Sequence, residues 1–203
     1  MKIYKQEIDK SCGVACIRSV LNHYGNNYSE KDLWGKNEPF GEGENMLNPI
    51  LSLGVLALKF NMDVEYIGYN PIIANGNKYD NLKESLEDKY KSYFSFGKYY
   101  VDKAIEFLNL GGKLTIEILT LDKIKKIINE NEFVIVEIKP AFLNKNSRIS
   151  IGMNHKVIIT GYTDKGFKIL NPSDEKEYEW DFDTFLLAFY AAVPEMLIIK
   201  PKN

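Results

Sequence analysis

The 203-residue chain has few of the residues on which several classes of protein depend. It contains two cysteines, two histidines and one glutamine, and its only arginines are Arg18 and Arg148. Two cysteines are too few for a disulfide-rich secreted scaffold, so a reduced, cytoplasmic protein is expected. The scarcity of arginine and the net charge of −2 argue against a basic surface that binds nucleic acid.

The ends and the apolar segments predict neither an export signal nor a membrane span. Residues 1–10 are charged from the start and lack the apolar core of a secretory signal. The most apolar stretches, at about residues 47–60 and 185–193, are short or broken by polar residues, whereas a span needs about 20 apolar residues. Without repeats or low-complexity linkers, a chain of this length is expected to form one domain over residues 1–203.

Hydrophobic periodicity predicts helices mainly in the first half of the chain and strands mainly in the second. Ser11, Ser29 and Thr120 are expected to lie at helix starts. The predicted helices cover residues 11–24, 29–34, 46–60, 82–93, 100–108, 120–129 and 183–192, and the strands cover 64–69, 113–119, 133–138, 155–162, 166–170 and 196–199. This segregation predicts an α+β fold, with a helical lobe over about residues 1–110 and an antiparallel sheet lobe over about 111–203.

Cys12 is the candidate nucleophile. It follows Ser11 at the expected start of a helix, where unpaired N–H groups and the positive end of the dipole favour a thiolate. The thiolate is the reactive form of cysteine, and Gly13 is expected to let a substrate backbone come close. The alternative is a small buried residue, the commonest state of a free cysteine.

Cys16 and His23 are interpreted as bystanders. Cys16 lies one turn further along the helix, away from its N-terminus, and is expected in the core. His23 is expected to interact with the negative end of the helix dipole. A metal site that includes Cys12 is not expected, because about 10 Å of helix separates Cys16 from His23 and zinc–ligand bonds are about 2 Å long. No other cofactor is implied.

His155 is the candidate base, and it begins a predicted strand whose hairpin partner ends at Asn171. A side chain that accepts a hydrogen bond from the far imidazole nitrogen would fix the tautomer and the ring orientation of His155. Asn171 and Asp174 both remain candidates, because a simple hairpin register brings His155 nearer to Asp174. A solvated surface histidine, and an asparagine that only begins a turn, are the alternatives.

Gln6 is the candidate oxyanion donor. Its side-chain amide lies six residues before Cys12 and can donate to the oxyanion that forms when a thiolate attacks a carbonyl. A surface glutamine is the alternative. Because this is the only glutamine in the chain, the functional interpretation is favoured.

In their order and spacing, these residues resemble the papain-like cysteine peptidases. They are most similar to the double-glycine peptidase domain that trims leader peptides at bacteriocin-exporting ABC transporters, and to its stand-alone relatives. The matching segments are Gln6, Ser11-Cys12-Gly13, Tyr24-Gly25, the strand His155–Tyr162, and Asn171-Pro172. Two positions depart from the family pattern, because Ser11 and Asn171 each replace the usual aspartate.

The resemblance implies a papain-like fold and a cysteine peptidase that acts on a peptide or amide substrate through Cys12, His155, Asn171 and Gln6. An acyl or peptidyl transferase is the first alternative, since the thioester intermediate serves both reactions. A pseudoenzyme that binds peptides without cleaving them is the second. No transporter segment follows residue 203, so delivery of the substrate by a fused exporter is not expected. The sequence predicts neither the oligomeric state nor the role of the Tyr-rich stretch over residues 66–100.

Overall fold

The structure, a computed structural model, describes residues 1–43, 46–74, 86, 95–142 and 154–202. Helices and strands alternate irregularly along the chain, as an α+β fold requires. In chain order they are α1 (Cys12–His23), α2 (Glu30–Trp34), α3 (Ile50–Lys59), β1 (Met62–Gly68), α4 (Pro71–Ala74), α5 (Phe96–Asn109), β2 (Lys113–Ile116), α6 (Leu121–Glu130), β3 (Val134–Ile138), a 3-10 turn (Pro140–Phe142), β4 (His155–Tyr162), β5 (Gly166–Asn171), β6 (Lys176–Asp181), α7 (Phe182–Ala191) and β7 (Glu195–Pro201).

These strands form a seven-stranded sheet in the order β2-β1-β7-β3-β4-β5-β6. Neighbouring strands are antiparallel except for β1 and β2, which pair in parallel at one edge. Strand β1 comes from the first half of the chain, yet it pairs along its whole length with β7. The sheet therefore takes strands from both sides of residue 110.

The helices, not the strands, are divided near residue 110 between the two faces of the sheet. Alternate residues of β3 face opposite ways, so Ile135 packs with α1, α3 and α5, whereas Val134 and Val136 pack with α6 and α7. Every helix that packs on the first face precedes residue 110, and α6 and α7 follow it. The central strands are consequently buried on both faces, which explains their nearly continuous apolar runs.

Most predicted elements are confirmed within a few residues of their expected ends. The capping box of α2 is present between Ser29 and Asp32, and Thr120 caps α6 through the backbone N–H of Lys123. Strand β6 was not predicted, because its sequence KEYEWD is mostly charged. Its alternation places Tyr178 and Trp180 in a stacked pair at the outer strand of the sheet.

The helix predicted over residues 82–93 lies outside the described residues, apart from the helical and buried Leu86. Among the residues that the structure describes, none of the helices combines the length and the apolar character that crossing a membrane requires.

Candidate active site

The site is built around Cys12, the first residue of α1. The helix carries its apolar side chains towards the sheet, and its N-terminus meets the start of β4 at His155 and Lys156. Gly13 is required by packing, because a Cβ there would lie 2.4 Å from Cδ1 of Leu53 in α3. The glycine beside the nucleophile thus allows α1 and α3 to approach each other closely, a role that its place in the motif did not reveal.

Ser11 occupies the N-cap position, but its side chain does not cap the helix. The hydroxyl donates instead to the carboxylate of Glu30, and its oxygen also lies 2.6 Å from the carbonyl oxygen of Ile8. Ser11 therefore marks the helix start, as predicted, but without a side-chain cap. The backbone at Ser11 is not extended as in an ordinary N-cap (φ −90°, ψ 12°), so the hydroxyl points back along the chain.

Glu30 anchors the segment between Gln6 and Cys12. Its carboxylate is fully buried and accepts the backbone N–H groups of Glu7 and Ile8 at 3.0 Å, besides the hydroxyl of Ser11. A buried carboxylate that accepts several donors is a strong local constraint. Sequence reasoning missed Glu30, because the first turn of α2 is an ordinary place for an acidic residue.

The structure brings Cys12, His155 and Asn171 together. Cys12 and His155 interact, each shifting the pKa of the other, and Nε2 of His155 lies 2.8 Å from Oδ1 of Asn171. Because Oδ1 only accepts hydrogen bonds, the proton lies on Nε2 and Nδ1 is available to the thiol. The three side chains therefore form a chain along which the imidazole is held in one orientation.

A β-bulge explains why Asn171, and not Asp174, contacts the histidine. The tight turn after β4 pairs Tyr162 with Phe167, a register that would bring His155 opposite Asp174. The register shifts by one residue between Ile159 and Gly161, which brings His155 opposite Ser173. In agreement, the Ser173 hydroxyl lies 3.3 Å from Nε2 of His155.

Asp174 interacts away from the histidine. Its carboxylate accepts the hydroxyl of Tyr178 and the backbone N–H of Lys176. The backbone N–H of Ser173 donates to Oδ1 of Asn171 at 3.0 Å, so this turn also fixes the amide that faces His155.

Gln6 is placed beside the same turn by its backbone. The N–H of Gln6 donates to the carbonyl oxygen of Pro172 at 2.9 Å. Gln6 thus lies between two fixed points, the Glu30 carboxylate on the helical side and the Asn171-Pro172 turn on the sheet side. The residue is half-buried.

The surroundings of Cys12 favour the thiolate. Burial raises the pKa of the thiol, but the hydrogen bond from His155, the charges of His155 and Lys156, and the backbone N–H of Lys156 together lower it to about 7. Burial lowers the pKa of His155, and the hydrogen bonds to Cys12 and Asn171 and the thiolate charge raise it above its usual value. Both shifts favour the thiolate–imidazolium pair over the neutral thiol and imidazole.

Cys16 and His23, interpreted above as bystanders, lie apart from the Cys12, His155 and Asn171 side chains. Cys16 is fully buried, its thiol donates to the carbonyl oxygen of Lys156 at 3.6 Å, and burial together with Cys12 raises its pKa well above the usual value. His23 pairs with Glu132 at 3.1 Å. Within the described ranges, no group of three metal-ligating side chains is found.

Comparison with known proteins identifies the class to which this site belongs. The model of the Peptidase_C39 like family matches residues 1–195, so the chain belongs to this family of cysteine peptidase-like hydrolases. No curated protein sequence matches the chain.

Several solved structures are similar, and three of them illustrate the likeness. The peptidase domain of Streptococcus ComA, a bi-functional ABC transporter involved in a quorum sensing pathway, has a TM-score of 0.53 at 15% identity and covers 99% of this chain and 98% of its own. A putative C39-like peptidase from Bacillus anthracis has a TM-score of 0.49 at 14% identity and covers 98% and 94%. A double glycine motif protease from an AMS/PCAT transporter, in complex with the leader peptide, has 0.48 at 14% identity and covers 98% and 91%. The likeness to the ComA domain shows that the fold is that of C39 papain-like peptidases.

Proposed function

We propose that the chain is a cysteine peptidase that cleaves a peptide or amide bond through Cys12, His155 and Asn171. The hydrogen bond between His155 and Asn171, together with the interaction of His155 with Cys12, is the observation that carries the proposal. Membership of the Peptidase_C39 like family supports it.

The proposed reaction begins when the Cys12 thiolate attacks the scissile carbonyl carbon. The new C–S bond pushes the carbonyl electrons onto oxygen, and the oxyanion is stabilised by the side-chain amide of Gln6 and the backbone N–H of Cys12. This N–H lies in the first turn of α1, where no intrahelical acceptor is available. The hydrogen bond from the backbone N–H of Gln6 to the Pro172 carbonyl supports a place for Gln6 beside Asn171 and His155.

The imidazolium of His155 then protonates the leaving amine, and the C–N bond breaks to give a thioester on Cys12. A water molecule attacks the thioester while His155 takes its proton, and the carboxylic acid leaves as the C–S bond breaks. Asn171 keeps the proton of Nε2 in place throughout, so that Nδ1 makes every transfer. A thiol nucleophile must stay reduced, so the enzyme is proposed to act in the cytoplasm.

The proposal is tested with peptide aldehydes and a peptide substrate library, read by mass spectrometry. We expect a hemithioacetal at Cys12 and turnover that a Cys12→Ala variant abolishes. Cys16→Ala is the matched control, because it removes a thiol from the same helix and leaves the Cys12–His155 contact intact. Adducts at Cys16, or full turnover by Cys12→Ala, would contradict the proposal.

The same experiment separates the alternative functions. Added amine acceptors such as glycine amide capture the acyl group if the enzyme is a transferase, whereas a peptidase releases mainly the free acid. Binding of peptides without an acyl-enzyme and without turnover would identify a peptide-binding pseudoenzyme.

A further inference from the structure

A buried ion pair lies directly beneath the proposed catalytic residues. Glu137 of β3 and Lys156 of β4 are cross-strand partners, next to the pair formed by Ile138 and His155. Nζ of Lys156 lies 2.9 Å from Oε2 of Glu137, and each side chain is only 8% exposed. A buried ion pair is costly to desolvate and often contributes no net stability, so its presence calls for another reason.

Glu137 also holds the residue on the other side of His155. Its Oε1 accepts a hydrogen bond from the side-chain amide of Asn154. One buried carboxylate therefore binds both neighbours of the histidine, Asn154 and Lys156, and restrains the backbone from which the imidazole projects.

Lys156 contacts α1 at the level of the nucleophile. Its carbonyl oxygen accepts the thiol of Cys16 at 3.6 Å, one helical turn after Cys12, and Lys156 directly follows His155 in β4. The positive charge of Lys156 is among the effects that lower the pKa of Cys12. In a site shielded from water, such a positive charge favours the anionic form of a neighbouring thiol.

We propose that Lys156, held in place by Glu137, is a supporting charge of the active site that stabilises the Cys12 thiolate together with His155. This inference rests on the proposed function of Cys12 and His155. Lys156 is assigned no contact with the substrate; it acts through the thiolate.

Ionisable groups face the Glu137–Lys156 pair from two further elements. Cys12 and Cys16 face it from α1, and Glu195 faces it from β7. The Glu195 carboxylate accepts the hydroxyls of Tyr66 and Tyr100 and the amide of Asn70. Burial and the charge of Glu137 raise the pKa of Glu195 to about 7, so at lower pH this group is neutral and Lys156 is the cation that faces Cys12.

The experiment is alkylation of Cys12 by iodoacetamide between pH 5 and 10. Fragment ions distinguish Cys12 from Cys16, which lies in the same tryptic peptide. In the wild type we expect a midpoint near pH 7. In Lys156→Met we expect the midpoint to rise by about one pH unit, which lowers the thiolate fraction at pH 7 about fivefold.

A double variant separates the electrostatic role from a structural one. Lys156→Met alone leaves the Glu137 carboxylate buried and unpaired. The double variant Lys156→Met with Glu137→Gln removes both charges, so we expect it to be more stable than Lys156→Met alone. We expect the double variant to keep the raised midpoint. A return to the wild-type midpoint would show that the pair is only structural and would overturn the inference.

Two further variants complete the design. Lys103→Met is the matched control, because Lys103 is also buried and paired, with Glu38 and Glu106, but is not among the groups that act on Cys12. We expect it to leave the midpoint unchanged. In His155→Ala the alkylation midpoint of Cys12 is expected to rise, and an unchanged midpoint would contradict the proposed function. If the midpoint rises in His155→Ala but not in the Lys156 variants, only the inference about Lys156 is overturned.

Discussion

Replacing Glu30 by glutamine tests how the proposed nucleophile is positioned. The carboxylate accepts two backbone N–H groups and the Ser11 hydroxyl, all from the five residues before Cys12. Glutamine has the same shape, but it removes the charge, and its NH₂ group then faces the N–H of Glu7 where Oε2 accepted it at 3.0 Å.

The expected loss of stability follows from these contacts. Hydrogen bonds to a charged group contribute about 1.5–3 kcal/mol each and those between neutral groups about 1 kcal/mol. Weakening the bonds of three donors, and losing the second acceptor of the Glu7 N–H, gives a loss of about 2–4 kcal/mol in the free energy of unfolding. The loosened segment carries Gln6 and leads into Cys12, so the rate of hemithioacetal formation should fall as well.

The assay combines urea denaturation with the rate at which a peptide aldehyde traps Cys12. Glu132→Gln is the matched control, because this exposed carboxylate pairs with His23 at the other end of α1 and is expected to change stability by less than about 1 kcal/mol. If Glu30→Gln unfolds at the wild-type urea concentration and is trapped at the wild-type rate, the anchoring role assigned to Glu30 is refuted.

Three further predictions concern orientation, packing and charge. Asn171→Ala should lower the rate of acylation by about tenfold or more, because His155 loses its acceptor, while stability measured in urea changes little; an unchanged rate would contradict the orienting role. Gly13→Ala should destabilise the fold by about 1–3 kcal/mol through the contact with Leu53, and calorimetry showing equal stability would exclude this clash. The pKa of Glu195 is raised from 4.5 to about 7, so this group ionises at lower pH in the unfolded chain than in the folded protein, and the free energy of unfolding falls as pH rises from 4.5 to 7. Relative to the wild type, the free energy of unfolding of Glu195→Gln should therefore rise by about 3 kcal/mol between pH 4.5 and pH 8. Stability profiles that run parallel over this range would contradict the prediction.

The local features of this molecule were the easiest to predict. The helix around Cys12 follows from the spacing of its apolar residues, and the hairpin that carries His155 follows from two β-branched runs separated by a turn. The sequence could not decide whether Asn171 or Asp174 contacts His155, because the choice depends on a bulge near Thr160. No residue pattern in β4 indicates the bulge, since an extra residue in a strand leaves the local composition unchanged.

The contacts that support the site could not be predicted, because they join residues distant in sequence. Glu30 reads as an acidic residue in the first turn of a helix, and its role depends on a loop more than 20 residues earlier. Lys156 reads as the polar side of a strand, whereas helix α1 covers it. The parallel pairing of β1 with β2 was missed for the same reason, because β1 joins the rest of the sheet through β7, the last strand of the chain.

The hydrogen bond from the backbone N–H of Gln6 to the Pro172 carbonyl makes one amide proton a reporter of the contact between the N-terminal loop and the sheet. This bond joins two segments that are separated by most of the chain, so it persists only while the N-terminal loop is seated on the sheet. Exchange of that amide with deuterated solvent therefore measures how often the two sides separate. A fusion or truncation that disturbs the first five residues should accelerate this exchange before it affects the amides of the central strands.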